Sequence, residues 1–241
     1  MGFAAEAREV KKTYGAGVTA VSALRGVSAG FERGSFTAIM GPSGSGKSTF
    51  MHCLAGLDDA DGGSVLLGGQ EISGLTDRAL TRVRRDRVGF VFQSFNLVAT
   101  LSSLQNILLP LDLAGRKPDR ERLEMVVESL RIGDRLGHRP SELSGGQQQR
   151  VAIARALVTE PDVLFADEPT GALDSRTATT LLSFLQRSCR QLGQTIVMVT
   201  HDPMAAAFAD RALLLSDGLI VDEIERPNPD LVLGAMRSLA A

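Results

Sequence analysis

The amino-acid sequence predicts an α/β domain that is built on a mainly parallel sheet. Short apolar segments rich in β-branched residues recur along the chain, and helical patterns separate them. One of these segments runs directly into a glycine-rich turn and then into a helix. The pattern predicts strands at residues 35–40, 88–92, 163–166 and 195–199, a helix at residues 47–55, and a hairpin that joins residues 212–215 to 219–221 through a turn at 217–218.

The middle of the chain is helical in character. Apolar residues at helical spacing, with charged residues between them, predict helices at residues 104–113, 120–130 and 147–158. We interpret residues 94–159 as a helical lobe inserted between two halves of the sheet. The prediction is one domain over residues 1–241, with residues 1–93 and 160–225 as the main lobe and residues 226–241 as a tail that carries a short helix at 230–239.

Composition narrows the class of protein. The 26 Lys and Arg residues nearly balance the 28 Asp and Glu residues, which argues against a broad basic surface and predicts no nucleic-acid partner. The sequence contains no apolar run long enough to cross a membrane, and its first ten residues lack the apolar core of a signal peptide. We therefore expect a cytoplasmic protein that acts on a membrane only through a partner. Cys53 and Cys189 are expected to be free thiols.

The glycine-rich turn at residues 41–48 has the pattern of a P-loop. Glycines let backbone N–H groups turn toward phosphate oxygens, and the following helix directs its positive end to the same place. A lysine then supplies a point charge, and a serine hydroxyl is a ligand for Mg²⁺. The predicted phosphate-binding residues are Gly41, Pro42, Ser43, Gly44, Ser45, Gly46, Lys47, Ser48 and Thr49.

Two carboxylates end the predicted strand at residues 163–166. The carboxyl end of a parallel strand lies beside the P-loop in this topology, so Asp167 is placed to hold Mg²⁺. Glu168 is placed to orient or deprotonate an attacking water. Successive strand residues point to opposite sides, so the two carboxylates are expected to have different roles. The alternative is a solvated turn before Pro169, which the neighbouring P-loop disfavours.

A second anion-binding helix end is predicted at residues 143–147, which read Leu-Ser-Gly-Gly-Gln and are called the signature segment below. Ser144 can cap the helix that is predicted to start near Gln147, and Gly145 and Gly146 allow close backbone approach. With the P-loop, this segment resembles the ABC ATPase family. The resemblance implies a P-loop NTPase core of the RecA-like type with an N-terminal antiparallel β portion, in which residues 1–93 and 160–225 are the catalytic lobe.

The resemblance also implies a mechanism. In that family two copies, or a copy and a close paralogue, pack head to tail, and each ATP lies between the P-loop of one and the signature segment of the other. It implies that Tyr14 stacks on adenine, that Gln93 reaches Mg²⁺ or the water, that residues 171–174 cross the dimer interface, and that His201 contacts the γ-phosphate. The implied catalytic residues are Glu168, His201 and Gln93, and the implied Mg²⁺ ligands are Ser48, Gln93 and Asp167.

Short segments point to one branch of the family. Residues 84–85, 91–97 and 144–150 are similar to the ATPases of lipoprotein release, macrolide efflux and antimicrobial-peptide resistance, whose partner is an integral-membrane permease. A cell-division permease complex and an amino-acid importer stay open as alternatives. Residues 94–104 are the expected permease contact, unless they belong to the core of the helical lobe. Chromosome-maintenance and DNA-repair ATPases are disfavoured because this chain has no long coiled coil, and a guanine-specific switch is disfavoured because it has no guanine-reading motif.

Overall fold

The computed structural model describes residues 2–239 and contains two sheets. The first sheet is antiparallel, and its strands lie in the order β2-β1-β4-β5. The second sheet has the order β10-β9-β3-β8-β7-β6, and all of its pairs are parallel except β9 with β10. The strands are β1 (Phe3–Tyr14), β2 (Val21–Glu32), β3 (Phe36–Met40), β4 (Gly62–Leu67), β5 (Gln70–Glu71), β6 (Val88–Val91), β7 (Val163–Asp167), β8 (Thr195–Val199), β9 (Arg211–Ser216) and β10 (Leu219–Glu225). The predicted α/β fold, with a mainly parallel sheet and an N-terminal antiparallel portion, is confirmed.

The helices lie in segments that leave or enter the strands of the second sheet, and residues of several of them pack on its faces. They are α1 (Lys47–Leu54), α2 (Asp77–Arg87), α3 (Ser103–Leu113), α4 (Arg120–Leu130), α5 (Gly145–Leu157), α6 (Ser175–Leu192), α7 (Pro203–Ala206) and α8 (Pro229–Ser238). Helix α3 packs on α5, and α5 packs in turn against β6. Within residues 2–239, no helix combines the length and the apolar character that a bilayer crossing requires.

The predicted helix boundaries lie within two residues of the observed ones, with the largest difference at the start of α5, and the helices α2, α6 and α7 were not predicted. Helix α5 begins at Gly145 rather than near Gln147, because Ser144 caps it there. The Oγ atom of Ser144 accepts a bond from the Gln147 backbone N–H, and the Gln147 side chain accepts one from the Ser144 N–H. Helix α2 was missed because its only buried residues, Leu80 and Val83, lie among many charged ones. Helix α6 was not predicted, although its buried residues Leu181, Leu185 and Cys189 recur at helical spacing. Helix α7 is a single turn, which is too short to show a period.

The central strands of the second sheet are buried on both faces, and their alternate residues enter two different cores. In β7, Val163 and Phe165 face the core that also contains Phe31, Phe50 and Leu54, between the two sheets. Leu164 and Ala166 face the core that also contains residues of α3, α5 and α6. Burial on both sides explains why these strands are apolar runs and not alternating patterns. It also fixes where each strand ends, and the polar side chains described below follow these ends.

The two cysteines behave as the sequence predicts. Cys53 and Cys189 are free and buried. Burial raises the pKa of Cys53 to about 12 and that of Cys189 to about 11, so both thiols stay protonated near neutral pH.

Candidate functional site

The P-loop joins β3 to α1. Gly46, the residue that precedes α1, has φ 99° and lies against the backbone of Ala23 in β2, where a Cβ atom would collide with a carbonyl oxygen. The next residue, Lys47, folds back over the loop, and its Nζ donates to the Gly41 carbonyl at 2.9 Å and to the Pro42 carbonyl at 2.7 Å. Burial lowers the pKa of Lys47, although Glu168 and Asp167 oppose this shift. The ammonium is therefore held close to the start of the helix.

The N-terminus of α1 has no side-chain cap. Among the α-helices of residues 2–239, every other helix has a capping side chain that accepts a bond from its first turn. Helix α1 has neither a capping side chain nor an acidic residue in its first turn. Its first N–H groups and its positive dipole end are therefore free to bind an anion.

The two carboxylates at the end of β7 have different partners. The Oδ1 atom of Asp167 lies 3.3 Å from the Oγ of Ser48, and its Oδ2 lies 3.8 Å from the Nε2 of His52. Burial raises the pKa of Asp167, although His52, Ser48 and Lys47 all act to lower it. The carboxylate is thus only partly compensated by its neighbours.

Glu168 lies at the turn that follows β7. It has φ 48°, its backbone N–H donates to the Val199 carbonyl at 3.0 Å, and its carbonyl accepts from Gly171 at 3.0 Å. Its Oε1 is 2.8 Å from the Nδ1 of His201, which follows β8. The histidine is mostly exposed, whereas the glutamate side chain is 17% exposed. The pair is therefore held at the edge of the sheet with one member open to solvent.

Tyr14 lines the same cavity as the P-loop. This cavity of about 420 Å³ is lined by Tyr14, Ala23, Ser43, Gly44, Gly46, Lys47, Ser48, Thr49, Glu168 and Val199. The hydroxyl of Tyr14 donates to the Oδ2 of Asp58 at 2.5 Å, and the other oxygen of Asp58 accepts from the Nζ of Lys12 at 2.7 Å. Burial and Asp58 raise the pKa of Tyr14, so the phenol remains a donor. No sequence pattern pointed to Asp58, because it is 44 residues away from Tyr14.

Gln93 and the signature segment lie outside this cavity lining. Gln93 follows β6, and its Nε2 lies beside Gly171, 2.9 Å from where a Cβ atom would be placed. Ser144 is exposed at the start of α5. None of the residues 144–147 is among the lining residues that the structure describes for the cavity. In residues 171–174, the carboxylate of Asp174 accepts from Thr177 and caps α6.

Comparisons with known proteins find similar chains. The family model described as "ABC transporter" matches residues 24–171. The bacitracin export ATP-binding protein BceA of Halalkalibacterium halodurans is 42% identical over 223 residues, which cover 92% of this chain and 88% of BceA. The macrolide export ATP-binding/permease protein MacB of Chlorobaculum tepidum is 45% identical, but the chain spans only 36% of its length.

A solved structure is similar along nearly the whole chain. It is a dimeric structure of a post-hydrolysis state of the ATP-binding cassette MJ0796, bound to ADP and Pi. Its TM-score is 0.84 at 40% identity, and the match covers 93% of this chain and 99% of that chain. The protein of the same name from Methanocaldococcus jannaschii is 43% identical over 225 residues. With the family match and the long alignment to BceA, these similarities show that the chain belongs to the ABC transporter family.

Proposed function

We propose that this chain is the ATP-hydrolysing, nucleotide-binding subunit of an ABC transporter, and that it binds ATP between two copies and drives a separate membrane permease. The observation that carries the proposal is the uncapped N-terminus of α1, which opens with Lys47 and Tyr14 into one cavity beside Glu168. A triphosphate supplies the negative charge that this helix end lacks. The aromatic ring of Tyr14 supplies a flat surface for adenine, at the position that the family resemblance implies.

The residues present fit Mg²⁺. Magnesium prefers oxygen ligands and usually keeps ligands from water and from substrate phosphates. The Ser48 hydroxyl and the Asp167 carboxylate are two such ligands at 3.3 Å from each other, and the raised pKa of Asp167 is that of a partly buried carboxylate, which a cation would stabilise. Residues 2–239 contain no cluster of three or more His, Cys, Asp or Glu side chains suited to a metal. We therefore propose that ATP oxygens complete the site and that Gln93 adds a ligand. When bound, Mg²⁺ neutralises charge on the phosphates.

Glu168 is the proposed general base for hydrolysis. Its carboxylate faces the cavity, and the bond to His201 orients it. Only the Nδ1 of His201 contacts Glu168, and we propose, as the family resemblance implies, that His201 also contacts the γ-phosphate. Lys47, which bonds to carbonyls of its own loop, is close enough to the helix start to transfer these bonds to phosphate oxygens.

The dimer follows from the position of the signature segment. Residues 144–147 are not among the residues that line the cavity of their own chain, so they are proposed to close on the ATP of a second copy or a close paralogue. The Ser144 Oγ accepts a bond within its own helix, which leaves its hydroxyl proton free for a γ-phosphate oxygen. The dimeric MJ0796 cassettes support this arrangement. ATP bridges two chains in it, and hydrolysis weakens one side of each bridge.

The permease partner and the branch are proposed from the relatives. The names of BceA and MacB describe export of bacitracin and of macrolides, and we propose export, extraction or resistance for this chain as well, at the inner face of the cell membrane. An importer and a cell-division permease complex remain the alternatives. The proposed contact is residues 94–104, where Val98 is 40% exposed. Leu97 packs against the core, so part of this segment also has a structural role.

Replacing Glu168 by Gln tests the proposed function. The amide cannot accept a proton from water, so we expect ATP hydrolysis to fall about 10²–10⁴-fold. With Mg²⁺ and ATP the variant should elute as a stable dimer in size-exclusion chromatography with light scattering. Glu160→Gln is the matched control, because Glu160 is exposed just before the other end of β7. Wild-type turnover in Glu168→Gln, or a variant that stays monomeric with ATP, would contradict the proposal.

Replacing either member of the Tyr14–Asp58 pair tests the adenine site. A hydrogen bond of this kind contributes about 0.5–1.5 kcal/mol, and Tyr14→Phe and Asp58→Ala each remove it and loosen the ring, so each should weaken ATP binding by up to roughly 2- to 12-fold. The double variant should bind no more weakly than either single variant, because one bond is lost in all three. Titration calorimetry measures these affinities, and Tyr14→Ala, which removes the ring, should bind more weakly still. Additive effects of the two changes would show that Asp58 does not act through Tyr14.

The raised pKa of Asp167 predicts a pH-dependent stability in the nucleotide-free protein. The Asp167 carboxyl keeps its proton to a higher pH in the folded chain than in the unfolded chain, whose pKa for this group is 3.8. Ionisation of the carboxyl therefore lowers the stability of the folded protein as pH rises above that value. Asp167→Asn should therefore melt at a higher temperature than wild type near pH 7, and this gain should shrink as pH falls through the raised pKa. Asp86→Asn, which loses an exposed pair with Arg85, should show no gain. Adding Mg²⁺ and ATP should stabilise wild type more than Asp167→Asn, and an equal response would argue against the metal assignment.

A further inference from the structure

A buried amide connects the signature helix to the turn that carries Glu168. Gln149 lies on α5, two residues beyond the signature segment, and is 0% exposed. Its Nε2 donates to the carbonyl of Pro169 at 2.7 Å. Its Oε1 is buried without a partner in the structure. A buried amide with one unmet acceptor is costly, so the residue stabilises the fold less than its burial suggests.

The acceptor of this bond directly follows the proposed general base. Pro169 is buried and is the next residue after Glu168, whose own backbone bonds run to Val199 and Gly171. The hydrogen bond from Gln149 therefore connects this turn to α5, a helix of the inserted lobe that is not part of the second sheet. A shift of α5 relative to β7 would move the Pro169 carbonyl and, with it, the carboxylate of Glu168.

The first turn of α5 lies against the same region of the chain. Gly146 is so close to Thr177 of α6 that a Cβ atom there would be 2.5 Å from the Thr177 Cγ2. Gly145 lies near Ala172, since a Cβ atom on Gly145 would be 3.8 Å from the Ala172 carbonyl oxygen. The signature segment, the Glu168 turn and the start of α6 are therefore packed together within one chain, although they would serve different nucleotides in a head-to-tail dimer.

We propose that Gln149 is a positioning residue that transmits engagement of the signature segment with one ATP to Glu168, which acts on the other ATP. This inference rests on the proposed function, because it requires the head-to-tail dimer. Gln149 touches neither nucleotide cavity nor reacting atoms, and it acts through the Pro169 carbonyl. The two sites are in this way connected inside each chain by the Gln149–Pro169 hydrogen bond, beside the packing of Gly145 and Gly146 against Ala172 and Thr177.

The test is Gln149→Met, which keeps the length of the side chain and removes both the donor and the unmet acceptor. We expect kcat for ATP hydrolysis to fall roughly tenfold, as the loss of one positioning bond allows, with KM for ATP changed by less than about twofold. Gln194→Met is the matched control. Gln194 is also buried and its Nε2 also donates to a proline carbonyl, that of Pro161 at 3.1 Å, but at the opposite end of β7. Gln194→Met should leave kcat close to wild type, and equal kcat values for the two variants would overturn the inference.

A second measurement separates positioning from folding. Ser144→Ala should lower kcat less in the Gln149→Met background than in wild type, because the two residues act on one path, whereas its effect should be unchanged in the Gln194→Met background. Gln149→Glu adds a rescue: a protonated carboxyl can donate to Pro169, so its activity relative to wild type should rise as pH falls. Additivity of Ser144→Ala with Gln149→Met would contradict the inference. Failure of the proposed function can be distinguished from failure of this inference. If the proposed function fails, the Glu168→Gln variant, in which Gln149 is intact, forms no ATP-dependent dimer.

Discussion

The structure depends on one helix end that is left without a cap. The N-terminus of α1 is placed at the end of a fully buried strand, β3, and nothing in its own first turn neutralises its dipole. Its N-cap residue is Gly46, and a glycine there costs a helix only about a few tenths of a kcal/mol relative to a capping Ser, Thr, Asp or Asn. The ammonium of Lys47 adds positive charge at the same place, held by the carbonyls of Gly41 and Pro42. An anion bound there completes interactions that the protein alone leaves incomplete.

The rest of the site is arranged around that helix end by the second sheet. Since β3, β8 and β7 are neighbours and parallel, their carboxyl ends meet at one edge and bring the P-loop, His201 and the two carboxylates together. Burial on both faces of these strands fixes their ends. Asp167 is consequently held where its charge is poorly solvated. Glu168 lies in a turn whose position is defined by backbone hydrogen bonds and by the contact of Glu168 with His201. The proposed hydrolysis at this edge of the sheet requires charged groups that are held rigidly in place.

Local patterns predicted the parts of the structure that local interactions determine. The apolar runs of β7 and β8 were found because both faces of each strand are buried. The P-loop was found because its glycines, lysine and serine form a short local pattern between a strand and a helix. Helix α6 was missed, although Asp174 at its start and Gly193 at its end are recognisable start and stop signals around an apolar stripe. The contacts of Tyr14 with Asp58 and of Gln149 with Pro169 could not be predicted, because tertiary packing alone brings these residues together.

We propose that two helix ends with different surroundings, the starts of α1 and α5, bind the phosphates of different ATP molecules. The end of α1 opens into the cavity of its own chain, whereas that of α5 is capped by Ser144 and exposed away from that cavity. The most direct measurement is a crystal structure of the Glu168→Gln variant with Mg²⁺ and ATP. We expect two copies with each γ-phosphate in hydrogen-bond contact with the first turn of α1 in one chain and with Ser144 in the other. A single nucleotide-bound copy, or a dimer in which residues 144–147 contact no phosphate, would contradict this proposal.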